Sequence, residues 1–154
     1  MYEVMLTCLA AASGFLASNL DEPPAYSAQE TLTIASFLME NGEVELLMAK
    51  LMLPDERDRF REYLNPENWA DVTAKMARNA SETRVRLPAS SVIEYAQDGQ
   101  KMTAFLFKEP LRGRWGVRLV FMDGSWRVSN EMYDRSEAMQ LLEEFESRGS
   151  AHRE

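Results

Sequence analysis

The chain is short of the residues on which most site chemistry depends. It has a single cysteine, Cys8, and a single histidine, His152. One cysteine cannot close an intramolecular disulfide or build a multi-cysteine metal site. One histidine, placed in a polar C-terminal tail, sets aside catalysis by a buried imidazole and metal binding through histidine clusters. The seven glycines form no glycine-rich phosphate loop, and no serine stands in a nucleophile elbow. Neither a metal nor a cofactor is expected.

Positive charge is also scarce. The 17 Lys and Arg stand against 25 Asp and Glu, a formal charge of −8 at pH 7, which excludes general affinity for nucleic acid or an anionic membrane. Charged residues make up 27% of the chain and apolar ones 45%, so 154 residues suffice for one ordered domain with a real core. The charge is uneven. Between residues 80 and 130, eight Lys and Arg meet five Asp and Glu, a basic stretch inside an acidic chain.

What is present begins with an apolar stretch. Residues 1–20 are nearly uncharged and rich in Ala and Leu. They resemble the core of a secretory signal, with small-residue cleavage points at Ala12-Ser13-Gly14 and Phe15-Leu16-Ala17. No Lys or Arg precedes the run, and Glu3 sits where a positive charge belongs. The alternative is a packed first helix with Glu3, Thr7, Ala11, Gly14 and Ser18 on its polar face. The first reading makes the protein periplasmic or otherwise exported, the second cytoplasmic. Residues 1–26 therefore form a signal-like or extra helix plus a Pro23-Pro24 linker, 27–147 the domain, and 148–154 a tail.

Helices follow. Ser27 and Glu30 form a capping box ahead of Leu32, Phe37 and Leu38, and Asn41-Gly42 closes that helix. A second helix spans 43–51, and a third spans 55–63 after Pro54. Asn65-Pro66-Glu67 is a further start signal, for a helix carrying Trp69, Val72 and Met76 to about Ala80. An acidic helix over 136–147 is expected at the end.

The organising stretch is 81–130, read as β-strands. Thr83–Gln97 supplies one long strand or two short ones, bent at Pro88. Residues 101–108 are apolar on both sides and so take a central place. Glu109–Gly113 reads as a loop. Residues 114–122 alternate, with Trp115, Val117, Leu119 and Phe121 on one side and Arg114, Gly116 and Arg118 on the other. Asp98-Gly99 and Asp123-Gly124 are hairpin signals, and Trp126 and Val128 continue the apolar side while Arg127 continues the charged one.

A capped first helix, the second helix "NGEVELLMAKL" and the closing hairpin "WGVRLVFMDGSWRVSN" together resemble the nuclear transport factor 2-like (cystatin-like) superfamily over about residues 27–130. The resemblance implies an α+β fold in which three to four N-terminal helices pack on a curved antiparallel sheet, cone-shaped, with a short C-terminal helix. It also implies a pocket at the wide end of the cone. Trp69, Tyr95, Phe105, Phe107, Trp115, Phe121 and Trp126 are the candidate lining of an apolar pocket, with ordinary core packing as the plain alternative. Arg84, Arg86, Arg114, Arg118 and Arg127 are the candidate docking face, for an acidic partner or a second copy; the plain alternative is a solvated strand face.

A catalytic cone needs a carboxylate base and an oxyanion donor, for which Glu94, Asp71, Tyr95 and Tyr133 are the available groups. None matches a family motif, so no catalytic residue is assigned. The expected function is a non-catalytic binding domain for a protein partner or an apolar small molecule, with homodimerisation through the sheet. One alternative is a small pocket enzyme using carboxylate acid/base chemistry on a hydrophobic substrate. The other is an acidic inhibitor or immunity-type protein, which rests on net charge alone.

Overall fold

The computed structural model describes residues 26–151. The signal-like stretch 1–20, Cys8 and His152 lie outside them. Within that range the chain is α+β, with helices α1 (Ala28–Glu40), α2 (Val44–Lys50), α3 (Pro54–Tyr63), α4 (Trp69–Arg86) and α5 (Arg135–Ala151). Strands β1 (Ser91–Gln97), β2 (Gln100–Leu111), β3 (Arg114–Met122) and β4 (Ser125–Val128) form an antiparallel meander in the order β1-β2-β3-β4.

Local chemistry sets most boundaries. The Ser27 hydroxyl accepts the Glu30 N–H at 3.1 Å, satisfying one of the free donors that open α1. Gly42, at φ +73°, lets the chain turn out of that helix. Pro54 opens α3, where its missing N–H costs nothing. Asn65 accepts the N–H groups of Glu67 and Asn68 at 2.9 Å each, and its carbonyl takes the Trp69 N–H at 3.0 Å. A turn thus forms where the sequence marks it, but Asn68 is the residue before the helix and α4 begins at Trp69, not at Pro66.

The end of α4 differs as well. Residues 83–86 belong to the helix, and among the described residues the first strand begins at Ser91. The alternation of Val85 and Leu87 with Arg84 and Arg86 imitates a strand, yet Val85 is 75% exposed. The periodicity that counts is Ala80 and Thr83, three apart and both buried. Arg84 reaches Glu40 of α1 at 2.8 Å, and Arg112 reaches Asn79 and Glu82 at 2.5 and 2.9 Å, fastening the extra turns. Pro88 falls in the 3-10 turn Leu87–Ala89 that ends the helix.

Three two-residue turns join the strands, each with positive φ at both positions. They are Asp98-Gly99 (53° and 78°), Arg112-Gly113 (51° and 80°) and Asp123-Gly124 (51° and 79°). The middle turn replaces the expected loop over 109–113. β2 runs through Pro110, which falls where the pairing shifts register between Leu106 and Leu111. Gly116 stands at the start of that irregularity. A Cβ there would lie 2.5 Å from the Phe105 carbonyl oxygen, so only glycine admits the close pairing.

The sheet is covered on both faces, where the sequence alternation predicted one wet face. On one face Phe105, Phe107, Val117, Leu119 and Trp126 pack against Ala28 and Leu32 of α1. On the other, Ile93, Ala104 and Leu106 pack with Tyr133 and Ala138, with Leu141 and Leu142 of α5 alongside. The reason is the composition of β2, in which Met102 to Phe107 are all buried. Beyond α1 a third cluster joins Ala35 and Leu38 to Val44, Leu47, Met48 and Met52. α5 starts one residue earlier than expected, in a capping box missed in the sequence. Asp134 Oδ1 accepts the Glu137 N–H at 2.8 Å, and Glu137 Oε2 accepts the Asp134 N–H at 3.1 Å.

A buried carboxylate ties helices to sheet. Glu56, 6% exposed, accepts the Ser129 hydroxyl and the Asn130 N–H, each at 2.7 Å. The Ser129 oxygen in turn accepts the Glu131 N–H at 3.0 Å. Removing the carboxylate strands two donors in a dry setting, so Glu56→Ala is expected to lower stability by about 2–4 kcal/mol and Glu56→Gln by less. Urea unfolding checks this; equal midpoints for Glu56→Ala and the parent chain would show that water replaces the clasp.

Candidate functional site

A groove opens where α2, the end of α3 and the start of α4 meet. It has a volume of about 450 Å³, is open to solvent, and is lined by Glu45, Met48, Arg61, Leu64, Asn65, Pro66 and Trp69. Met48 is buried, Leu64 and Trp69 are half-buried, and Glu45, Arg61, Asn65 and Pro66 are exposed at the rim. Trp69 stands here because it opens α4 just after the Asn65 turn. The groove therefore has an apolar floor with one acid, one base and one amide around it. That composition holds an apolar group and orients its polar surroundings.

Of the aromatic residues expected to line a pocket, only Trp69 lines this groove. Phe105, Phe107 and Trp126 are buried in the layer between sheet and α1. Phe121 lies near the turn end of β3, 38% exposed, edge-on to Trp126 with ring centroids 5.3 Å apart. The Lys101 ammonium sits 5.6 Å from the Trp126 ring and 5.9 Å from Phe121, a cation resting on the two ring faces. Trp115 sides with Ile93, Leu106 and Tyr133 on the α5 face, opposite Val117 and Leu119. It occupies the register break, where strict alternation fails. Met48 and Leu64 sit in helical core patterns, so no signal in the sequence marks them as the floor of the groove.

Tyr95 packs in the α5 layer, where its hydroxyl pairs with that of Tyr133 at 2.6 Å. Arg118 lies over the Tyr133 ring, 4.5 Å from its centroid, and reaches Glu131 at 3.2 Å and Glu137 at 3.6 Å. This arginine is thus engaged beneath α5 and the segment leading to it. The other arginines divide. Arg84 and Arg86 are on α4, not on a strand; Arg84 pairs with Glu40, and Arg86 donates to the Glu82 carbonyl at 3.0 Å. Arg127 donates to the Lys50 carbonyl at 2.7 Å, and Arg114 is exposed beside the Arg112-Gly113 turn. No single arginine face forms.

Burial holds the Tyr133 hydroxyl far above the ordinary tyrosine range, the bond to Tyr95 adds to it, and the Arg118 cation pulls the other way. Burial works against the Arg118 charge, but Tyr133, Tyr95 and Glu137 outweigh it and hold its pKa above the usual value. Glu94 and Asp71 are both exposed, and neither lines the groove. Among the described residues no three His, Cys, Asp or Glu side chains group as a metal site, and no helix is long and apolar enough to cross a membrane. Comparison with protein-family models, with characterised proteins and with solved structures gives no match.

The tyrosine pair makes a pH prediction. The folded-state pKa of Tyr133 lies above its unfolded value of about 10, so its contribution is intact below that pH and is lost as pH rises further. At pH 7, Tyr133→Phe is expected to be less stable than the parent by about 1 kcal/mol, the worth of the Tyr95 bond. Above pH 10 the gap is expected to close, because phenylalanine cannot ionise. Denaturant melts at pH 7, 10 and 11 read this out, and a gap constant with pH would remove Tyr133 as its source.

Proposed function

We propose that this chain is a non-catalytic binding domain, its helices and sheet arranged as in the nuclear transport factor 2-like superfamily, whose groove beside Trp69 accepts an apolar side chain of a protein partner. The observation that carries this is the half-buried Trp69 at the head of α4, with Met48 and Leu64 beside it and Glu45 and Arg61 at the rim. Enclosed cavities bury most of a small ligand, whereas this groove is open, which suits a group presented on a protein surface.

Two further observations support binding over carboxylate chemistry. The sheet face beneath α1 is filled by Phe105, Phe107, Leu119 and Trp126 against Ala28 and Leu32, where a catalytic cone needs room for a substrate. The buried carboxylate, Glu56, is taken up by Ser129 and Asn130 and is not among the residues lining the groove. A general base needs reach to a substrate proton.

Indole serves as a probe for the partner's side chain. In NMR titrations of the full chain it is expected to shift the Trp69 indole N–H and the Met48 methyl. Trp69→Ala is expected to weaken that response about tenfold, roughly 1.4 kcal/mol. Shifts centred on Trp115 or Trp126, or a response unchanged by Trp69→Ala, would overturn the groove. Export belongs to the same proposal through residues 1–20. The protein from its native cells is expected to have lost Met1 and the apolar stretch by intact mass, and a mass that includes them would withdraw export.

A further inference from the structure

The two edges of the sheet are treated differently. At β4 the Val128 N–H donates to the Leu51 carbonyl at 2.7 Å, and Met52 bridges Val128 in parallel, so the chain ahead of α3 closes that edge. At β1, pairing runs to β2 along all seven residues, and among the described residues nothing pairs with its outer side. Natural edges are usually blunted by lysine, proline or a bulge. Ser91–Gln97 has none of the three, and its pairing with β2 is regular from end to end.

A second element lies over that open edge. α5 starts over β3, where Glu137 meets Arg118, and Ala138 packs with Ile93 of β1 and Ala104 and Leu106 of β2. Phe145 falls seven residues after Ala138, hence on the same helical stripe, yet it is 51% exposed. The apolar stripe of α5 therefore continues beyond its contacts with the sheet. Around it Glu143, Glu144 and Glu146 are exposed, with Arg148 beyond. On the opposite face of β1 the outward row is Val92, Glu94 and Ala96, with Val92 47% exposed.

We propose that the open edge of β1, with the exposed end of α5, is a docking site for an extended basic segment of a partner protein, which adds a fifth strand to the sheet. The main chain of β1 supplies the hydrogen bonds that any extended segment makes, and side chains of alternating direction supply the choice. On one face an added strand meets Phe145 among glutamates; on the other it meets Val92 and Ala96 beside Glu94. Both faces thus favour apolar and cationic residues and repel acidic ones. A second copy of this chain fits less well. It brings the same acidic surroundings, and pairing β1 with itself about its centre sets Glu94 against Glu94. The site is separate from the Trp69 groove and stands or falls without it.

The probe is the capped heptapeptide Lys-Val-Lys-Val-Lys-Val-Lys, with Glu-Val-Glu-Val-Glu-Val-Glu as its charge-reversed control. Amide hydrogen exchange of the full chain is the readout. The basic peptide is expected to slow exchange at alternate amides of Ser91–Gln97 by at least tenfold. The effect is expected to fade as salt rises from 50 to 500 mM, and to be lost in Glu94→Lys, whose exposed position leaves the fold intact. Unchanged exchange in β2 and β3 of that variant verifies folding. Equal protection by the acidic peptide, protection confined to residues outside β1 and α5, or protection that grows with protein concentration in the absence of peptide would each overturn the proposal. The last of these would assign the edge to a second copy.

Discussion

The structure depends on one constraint: β2 cannot leave either of its faces in water. Met102 to Phe107 are buried without a break, so each side of the sheet needs a roof. At about 1.5–3 kcal/mol for each large apolar side chain removed from water, a strand of this composition outweighs the other local preferences around it. α1 roofs one side through Ala28 and Leu32, and α5 roofs the other through Ala138 with Leu141 and Leu142. Outside α1 a further layer forms, in which Val44, Leu47 and Met48 of α2 pack on Ala35 and Leu38 of α1.

Two polar fastenings hold this stack in register. Glu56 ties α3 to the chain just after β4, and Arg118 with Tyr133 ties β3 to the segment that leads into α5. Each sits where the chain passes from one layer to the next. Buried charged groups are weak sources of net stability but discriminate strongly between arrangements, because any other register strands a charge. The same layering explains where binding surfaces are left. The middle of the sheet is closed on both faces, while among the described residues the α2–α4 corner and the β1 edge stay open.

Much of the local structure was legible in the sequence. Ser27 with Glu30, Asn41-Gly42, Pro54 and the Asn65 turn mark helix ends through bonds spanning two to five residues. Asp98-Gly99 and Asp123-Gly124 mark hairpins through their own φ preferences. The central position of β2 followed from its two apolar sides. Where the reading failed, a local signal was outvoted. Residues 83–86 alternate as a strand does, but Ala80 and Thr83 face the core and Arg84 and Arg112 make distant pairs. Pro110 read as a loop, yet the register shift accommodates it.

The sequence by itself determined the α+β class and the Asp-Gly turn positions, because these rest on residue identity and on neighbours a few positions apart. Only the tertiary structure decided that α5 closes the second face, that Arg118 is taken up beneath it, and that Trp69 rather than the strand aromatics lines the groove. The deciding contacts join residues far apart in the chain, 38 positions for Tyr95 with Tyr133 and 73 for Glu56 with Ser129. Pairings at that distance leave no periodicity or spacing in the sequence; they are fixed by which buried surfaces meet once the layers stack.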